Sequence, residues 1–241
     1  MIKVHSYESM GTFDGPGIRL VVFMQGCPLK CLFCANPDTI SPLGGNPVEA
    51  EKIVAMAVDE RPFFGKRGGV TFSGGEPTMQ AEGLLPVVKA LKREGIHVAL
   101  DTNGAIRTPK VSELLKEVDL VLLDIKQPDE KLHVDLTGVP LANTLATARE
   151  LNEMGKKVWL RHVYLPGWSD RPGIMERIGE LFGRYDNIER FELLPYHTLG
   201  VHKYEAMGWP YKLEGVKEPK PDTLADEREK LSAWFKTVVV N

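Results

Sequence analysis

The chain has 241 residues, 43% of them hydrophobic and 26% charged, with a net charge of -3 and a pI near 6.1. This composition is typical of a folded protein and excludes the strongly basic surface of proteins that bind nucleic acids or anionic membranes. No apolar run reaches the roughly 18 residues of a membrane span and no signal-peptide core follows Met1, so we expect a cytoplasmic protein. We also expect the protein to be a monomer.

Predicted strands and helices alternate along the chain, which we interpret as one domain covering residues 1–241. The predicted strands are Arg19 to Gln25, Gly69 to Phe72, His97 to Asp101, Leu120 to Asp124, Val158 to Val163 and Arg190 to Leu194. The predicted helices are Pro47 to Asp59, Gln80 to Glu94, Lys110 to Glu117, Asn143 to Met154, Arg171 to Arg184 and Pro221 to Lys236. Two segments rich in proline and glycine are predicted loops, Asn36 to Pro47 and Tyr204 to Pro221.

This alternation predicts an α/β fold of right-handed βαβ units with a parallel sheet. Six such units are two fewer than a closed (β/α)8 barrel contains. The pattern therefore favours either an incomplete barrel or an open, doubly wound sheet. In both folds, ligands bind at the carboxyl ends of the strands.

All the cysteines lie in the segment CPLKCLFC, where Cys27, Cys31 and Cys34 have the spacing C-x3-C-x2-C. An odd number in so short a segment is not a disulfide framework. Zinc sites usually need four protein ligands, whereas three thiolates can hold a four-iron four-sulfur cubane with one iron open to another ligand. We predict such a [4Fe-4S] cluster. The alternatives are a zinc site completed by His or Asp and three buried structural cysteines.

The cysteine spacing resembles that of radical S-adenosylmethionine (SAM) enzymes, and Gly74-Gly75-Glu76-Pro77 after the strand VTF is similar to their SAM-amino motif. The resemblance implies a partial (β/α)6 TIM-like barrel with a SAM site that includes Gly74, Gly75 and Glu76. It also implies that SAM chelates the open iron and is cleaved reductively to methionine and a 5′-deoxyadenosyl radical.

Two carboxylates end neighbouring predicted strands, Asp101 in DTNG and Asp124 in DIK. The resemblance implies that Asp101, Asp124, Ile125 and Lys126 contact the ribose and the methionine carboxylate of SAM, and helix capping is the alternative for the aspartates. Like charges near the SAM carboxylate would repel one another. We therefore expect Lys126 or a bound monovalent cation to offset this repulsion.

Further SAM contacts are implied at Arg161, within the fifth strand, and at His197, after the sixth. A strand arginine held only by a salt bridge is the alternative for Arg161. Residues that pass directly by the cluster are implied to contact adenine, namely Phe33, Cys34, Ala35 and Asn36. The remaining histidines have no metal-binding spacing and are predicted to be structural or surface residues: His5, His97, His133, His162 and His202.

The opening HSYESMGTFDGPGIRLVVFMQGC is similar to the N-terminal signature of the glycyl-radical activating enzymes, which includes a GPG-x-R turn. This resemblance implies hydrogen abstraction from a glycine of a partner protein and an electron from flavodoxin or ferredoxin. Asp14 would border the incoming glycine loop, and a role in starting the turn is the alternative. Ala35 stands where these enzymes often carry histidine.

Many activating enzymes insert a ferredoxin-like segment with further cysteine clusters, but Pro37 to Val48 is too short for one and contains no cysteine. We therefore expect a radical SAM core with N-terminal and C-terminal extensions and no insert. Two alternatives stay open: a radical SAM enzyme that acts on a small molecule, and an iron–sulfur electron carrier. The carrier would not need the GGEP segment, the paired aspartates or His197.

Overall fold

The computed structural model describes residues 1–241, which form nine β-strands and eight α-helices. The strands are β1 (Ile2–Gly11), β2 (Arg19–Met24), β3 (Asn46–Val48), β4 (Gly69–Gly74), β5 (His97–Thr102), β6 (Leu120–Asp124), β7 (Val158–Tyr164), β8 (Ile188–Pro195) and β9 (Val238–Val240). The helices are α1 (Ala50–Phe64), α2 (Ala81–Arg93), α3 (Pro109–Glu117), α4 (Glu130–Thr137), α5 (Ala142–Glu153), α6 (Ile174–Phe182), α7 (Val201–Ala206) and α8 (Pro221–Leu231). Short 3-10 helices cover Pro37–Thr39 and Pro77–Gln80.

The strand order in the sheet is β3-β1-β2-β4-β5-β6-β7-β8-β9, so the sheet has two edge strands and is not closed. The six predicted strands are confirmed as β2, β4, β5, β6, β7 and β8. The sheet also contains strands that were not predicted, among them β1 and β3, and β1 is antiparallel to β2 and to β3. None of the eight helices combines the length and the hydrophobicity that a membrane span needs.

Contacts divide the chain into two compact units, residues 1–28 with 39–123 and residues 29–38 with 124–241. In the first unit, β2, β4, β5 and β6 are parallel neighbours. Their buried side chains form nearly continuous hydrophobic runs, as expected for strands covered on both faces, and include Leu20, Val22, Phe72, Leu100 and Leu122.

In the second unit, β7 and β8 are parallel and β9 pairs in parallel with β8. A separate hydrophobic cluster is formed by Leu136, Leu165, Tyr196 and Leu213, and Leu32 and Phe33 of the cysteine segment pack against it. Leu32 and Phe33 therefore anchor the part of the cysteine segment that belongs to this unit on its hydrophobic cluster.

Local signals explain where several helices begin and end. The Thr108 hydroxyl accepts a hydrogen bond from the Val111 N–H at 3.2 Å, and Pro109 follows in the first helical position of α3. Asp129 caps α4 in the same way, and Gly138 ends it in the left-handed conformation.

Candidate active site

Cys27 lies in the turn that follows β2, and backbone hydrogen bonds fix this turn in the first unit. The Gly26 N–H donates to the Thr39 carbonyl at 2.7 Å, and the Cys27 N–H donates to the Ile40 carbonyl at 3.0 Å. The Cys27 side chain is half-buried and forms no disulfide. This turn presents one thiol on a fixed backbone.

The GGEP segment packs directly against the same turn. The Gly75 N–H donates to the Met24 carbonyl at 2.9 Å, and the Glu76 N–H donates to the Gly26 carbonyl at 2.7 Å. A Cβ atom on Gly75 would lie 2.3 Å from the Gly26 oxygen, so only glycine allows this approach. The predicted motif thus supports the backbone that leads to Cys27.

The Glu76 side chain is fully buried and accepts four hydrogen bonds. One oxygen accepts from the Thr78 N–H at 3.0 Å, the Thr78 hydroxyl at 2.6 Å and the Thr102 hydroxyl at 2.7 Å, and the other accepts from the Asn103 N–H at 2.8 Å. Burial raises the pKa of Glu76, and these four hydrogen bonds act in the opposite direction. Glu76 therefore caps the 3-10 helix and joins it to the end of β5.

Neither predicted rim aspartate caps a helix. Asp101 lies within β5, where its carboxylate accepts a hydrogen bond from the Ser73 hydroxyl at 2.6 Å. Asp124 ends β6, and the next helices are capped by Thr108 and Asp129 instead. The capping alternative was wrong for both aspartates, and their SAM contacts stay a prediction.

Cys31 and Cys34 lie in the second unit, both half-buried and both free of disulfides. The Cys34 N–H donates to the Cys31 carbonyl at 3.1 Å. Between the two thiols, the Leu32 N–H donates to the Leu136 carbonyl at 3.0 Å. The backbone that carries both thiols is therefore tied to the end of α4.

Burial raises the pKa of the Cys31 thiol to about 12, while Lys126 acts in the opposite direction. Burial also raises the pKa of Cys34, and a hydrogen bond from the Asn36 backbone lowers it. Metal-free Cys31 and Cys34 are therefore protonated at neutral pH, and metal binding must displace their protons.

The three thiols are the donor set from which the sequence predicts an iron–sulfur cluster. No group of three or more His, Cys, Asp or Glu side chains is arranged to hold one metal ion. A cubane imposes a different arrangement, because its three thiolates bind three separate iron atoms. Three cysteines on hydrogen-bonded backbone, none of them in a disulfide, are the ligand types that such a cluster requires.

Lys126 forms a partly buried ion pair with Asp124, with 2.6 Å between Nζ and Oδ2 and side chains 18% and 17% exposed. The Lys126 ammonium also lies 5.7 Å from the centroid of the Phe33 ring. Lys126 therefore places a positive charge beside Asp124, and its predicted role in offsetting repulsion near the SAM carboxylate stays a prediction. The bound cation stays a prediction.

Arg161 is buried in β7, and its Nε atom lies 2.8 Å from the Glu192 carboxylate. Its backbone carbonyl accepts a hydrogen bond from the buried Ile125 at 2.8 Å. The salt bridge considered as the alternative is therefore present. Contacts of Arg161 and Ile125 with SAM stay predictions.

The remaining predicted residues are more accessible. His197 is exposed and lies two residues beyond β8. Asp14 is half-buried in the turn before β2, where its backbone carbonyl accepts a hydrogen bond from the Thr71 hydroxyl at 2.6 Å. In the same turn, a Cβ atom on Gly17 would lie 2.6 Å from the Gly68 nitrogen, which explains the second glycine of GPG. Asp14 thus helps to hold the turn, and a peptide contact stays a prediction.

Two residues of α7 support the cysteine segment and were not predicted as site residues. Lys203 Nζ donates to Asn36 Oδ1 at 2.8 Å and pairs with Asp38 at 3.1 Å. The Tyr204 hydroxyl donates to the Cys34 carbonyl at 3.1 Å. Both lie more than 160 positions along the chain from the residues that they bind, so no local sequence pattern links them to the cysteine segment.

His162 is buried beside Arg161 and, as predicted, has a structural environment. Its Nδ1 donates to the Ile125 carbonyl at 2.7 Å, so in the neutral ring Nε2 accepts from the Ser169 hydroxyl at 3.0 Å. Burial lowers the pKa of His162 from 6.5 to about 4. The folded protein therefore holds this ring neutral.

This environment makes stability depend on pH. Between pH 6.5 and 4 the unfolded chain binds a proton at His162 that the folded chain does not. The free energy of unfolding should therefore fall as pH is lowered through this window, by up to about 3 kcal/mol from this residue. Urea unfolding of the metal-free protein at pH 7 and pH 4.5 measures the dependence. His162→Gln should weaken the pH dependence of the free energy of unfolding. An identical pH dependence in the parent and in this variant would contradict the assignment of the effect to His162.

A family model described as the radical SAM superfamily matches residues 21–178. Pyruvate formate-lyase 1-activating enzyme from Escherichia coli (strain K12) is 48% identical over 225 residues, with 92% of each chain covered. Pyruvate formate-lyase-activating enzyme from Staphylococcus epidermidis is 44% identical over 231 residues, again with 92% of each chain covered.

Solved structures give the same fold. A domain of pyruvate-formate lyase-activating enzyme from Bacteroides vulgatus ATCC 8482 matches with a TM-score of 0.61 and 24% identity, covering 72% of this chain and 99% of that chain. Streptococcus suis SuiB bound to precursor peptide SuiA matches with a TM-score of 0.69 and 20% identity, covering 92% of this chain and 48% of that chain. Together with the unclosed sheet, these matches confirm the predicted fold class.

Proposed function

Because the chain belongs to the radical SAM superfamily and, within it, to the family of pyruvate formate-lyase-activating enzymes, we propose that it activates pyruvate formate-lyase. In this function, SAM is cleaved reductively and the resulting radical abstracts hydrogen from one glycine of the partner. The observation that carries the proposal is 48% identity over 92% of both chains to an enzyme with that name. The three cysteines of the C-x3-C-x2-C segment, none of which forms a disulfide, support it.

Cys27, Cys31 and Cys34 would hold the [4Fe-4S] cluster, which when bound supplies the electron for SAM cleavage. Binding iron requires the loss of the Cys31 and Cys34 protons, and burial opposes their loss in the metal-free protein. Lys126 favours the thiolate at both positions through its positive charge. Cluster assembly on this chain should therefore release protons.

The turn Gly74-Gly75-Glu76 would meet SAM through its backbone, because both oxygens of the Glu76 carboxylate are already bonded within the protein. Other proposed contacts are the residues predicted from sequence: Phe33, Cys34, Ala35, Asn36, Asp101, Asp124, Ile125, Lys126, Arg161 and His197. The ion pair of Asp124 with Lys126 supports a site that receives the charged methionyl group. A monovalent cation near Asp101 and Asp124 is part of this proposal.

We further propose flavodoxin or ferredoxin as the electron donor and a monomeric state for the protein. A cytoplasmic location would keep the three thiols reduced. We also propose one radical SAM core over residues 1–241, with N-terminal and C-terminal extensions.

The proposal is tested by anaerobic reconstitution with iron and sulfide, followed by incubation with SAM, dithionite and pyruvate formate-lyase. We expect the electron paramagnetic resonance signal of a glycyl radical on the partner. Asp14→Ala should slow radical formation by about 5- to 150-fold, since a lost peptide hydrogen bond costs roughly 1–3 kcal/mol, and should spare the slow cleavage of SAM without partner. The exposed Asp59→Ala on α1 is the matched control and should behave like the parent.

Each other outcome points to a different function. If no glycyl-radical enzyme is activated and a small metabolite accelerates SAM cleavage, the protein is a radical SAM enzyme of a different type. If another glycyl-radical enzyme is activated instead, only the partner changes. A reconstituted cluster that never cleaves SAM would indicate an electron carrier.

A further inference from the structure

Asn103 places a side-chain amide beside the first cysteine of the motif. Its Nδ2 atom lies 3.8 Å from Cys27 Sγ, within the distance of an N–H···S hydrogen bond. Asn103 is only 6% exposed, so water does not compete freely for this amide. A buried donor thus faces the sulfur that the proposed function assigns to the cluster.

A hydrogen bond to the side-chain oxygen of Asn103 determines that its amide nitrogen, and not its oxygen, faces the Cys27 thiol. Asn103 Oδ1 accepts from the Ala105 N–H at 3.0 Å. If the amide were flipped, its N–H₂ group would face the Ala105 N–H, and two donors would meet without an acceptor. The Asn103 backbone N–H donates to Glu76 Oε2 at 2.8 Å. Since the Glu76 N–H in turn binds the Gly26 carbonyl, Asn103 and Cys27 are held by one connected network.

We propose that Asn103 is a positioning residue for the iron–sulfur cluster, which donates a hydrogen bond to Cys27 Sγ and raises the reduction potential of the cluster. This inference rests on the proposed function. One-electron reduction adds negative charge to the cluster and its sulfur ligands, and an N–H directed at a ligating sulfur stabilises that charge. The same bond restricts the rotation of the Cys27 side chain.

A purely structural role would predict a different result, because the Asn103 Oδ1 bond to Ala105 also stabilises the turn after β5. Asn103→Asp separates the two roles, since the aspartate keeps an oxygen for Ala105 and loses the donor to Cys27. Asn103→Ala removes both bonds. Asn187→Asp is the matched control: Asn187 donates through Nδ2 to the Lys156 carbonyl at 2.8 Å, and no thiol is involved.

The experiment measures the reduction potential of the reconstituted cluster without SAM, by redox titration followed by electron paramagnetic resonance. Both Asn103 variants should shift the potential to more negative values at unchanged iron and sulfide content, and Asn187→Asp should not. Unchanged potentials in the Asn103 variants would overturn the proposal. An equal shift in Asn187→Asp would also overturn it.

A second measurement needs only the parent protein. With ¹⁵N in the asparagine side-chain amides alone, the reduced cluster should show a ¹⁵N coupling in pulsed electron paramagnetic resonance. The absence of this coupling would overturn the proposal even if the variants fail to fold. A parent that assembles the cluster yet activates no glycyl-radical enzyme would refute the proposed function alone, and the potentials would still test Asn103.

Discussion

Replacing Cys31 with alanine is expected to abolish both cluster assembly and SAM cleavage. Three thiolates are the minimum that this chain offers for a cubane with one open iron, and there is no fourth cysteine to substitute. The parent should bind about four irons and four sulfides per chain. Iron and sulfide analysis, the visible absorption of the reconstituted protein, and chromatography of 5′-deoxyadenosine formed with dithionite measure the effect. Cys27→Ala and Cys34→Ala should give the same result.

Lys30→Ala is the matched control for this prediction. Lys30 is exposed between Cys27 and Cys31, and only its backbone N–H is bound in the fold, to the Thr137 carbonyl at 2.8 Å. This variant should keep the iron content of the parent. A Cys31→Ala protein that still cleaves SAM, or a colourless zinc-loaded parent with full activity, would contradict a three-cysteine cluster.

The parallel strands could be predicted because burial on both faces leaves a clear pattern in sequence. LVLLD of β6 and RLVVFM of β2 are short apolar runs bounded by turn residues. The segment IKVHSYESMG of β1 has no such pattern, since most of its side chains are half-buried or exposed. Its strand conformation follows from pairing with β2 and β3, which is a tertiary effect.

Short elements in predicted loops were also missed. Three-residue β3 (Asn46–Val48) overlaps the end of the predicted loop and the start of the predicted helix Pro47 to Asp59, and it pairs with β1. Helix α7 overlaps the start of the second predicted loop, and α4 has too few residues to show a strong period. The predicted C-terminal helix extended too far, because α8 ends at Leu231 and β9 follows.

The site could be predicted only as far as its motifs extend. The cysteine triplet and GGEP are each contiguous in sequence, so both motifs could be identified there, and the SAM site was predicted from their resemblance to those of radical SAM enzymes. The contacts that hold them are distant: Glu76 binds Thr102 and Asn103, and Tyr204 binds the Cys34 carbonyl. Glu76 was predicted as part of the SAM site, and nothing in the sequence indicates that its oxygens are bonded to Thr78, Thr102 and Asn103 within the protein.

Glu76→Ala is expected to lower the free energy of unfolding by at least about 3 kcal/mol. Removal of the carboxylate leaves four donors without their acceptor in the fully buried surroundings of this side chain, and each unsatisfied buried group costs roughly 1–3 kcal/mol. The hydrogen bonds that connect the GGEP turn to the end of β5 would be lost. Urea unfolding of the metal-free protein at neutral pH measures the loss.

Two further variants distinguish the loss of the Glu76 hydrogen bonds from a general effect of removing a glutamate. Glu82→Ala, at an exposed position in the first turn of α2, should change the free energy of unfolding by less than about 0.5 kcal/mol. Glu76→Gln should be intermediate, because the amide keeps one acceptor oxygen and turns an N–H₂ group toward donors. If Glu76→Ala were as stable as Glu82→Ala while SAM affinity was lost, the carboxylate would act on SAM directly, and the four internal hydrogen bonds would contribute little to the fold.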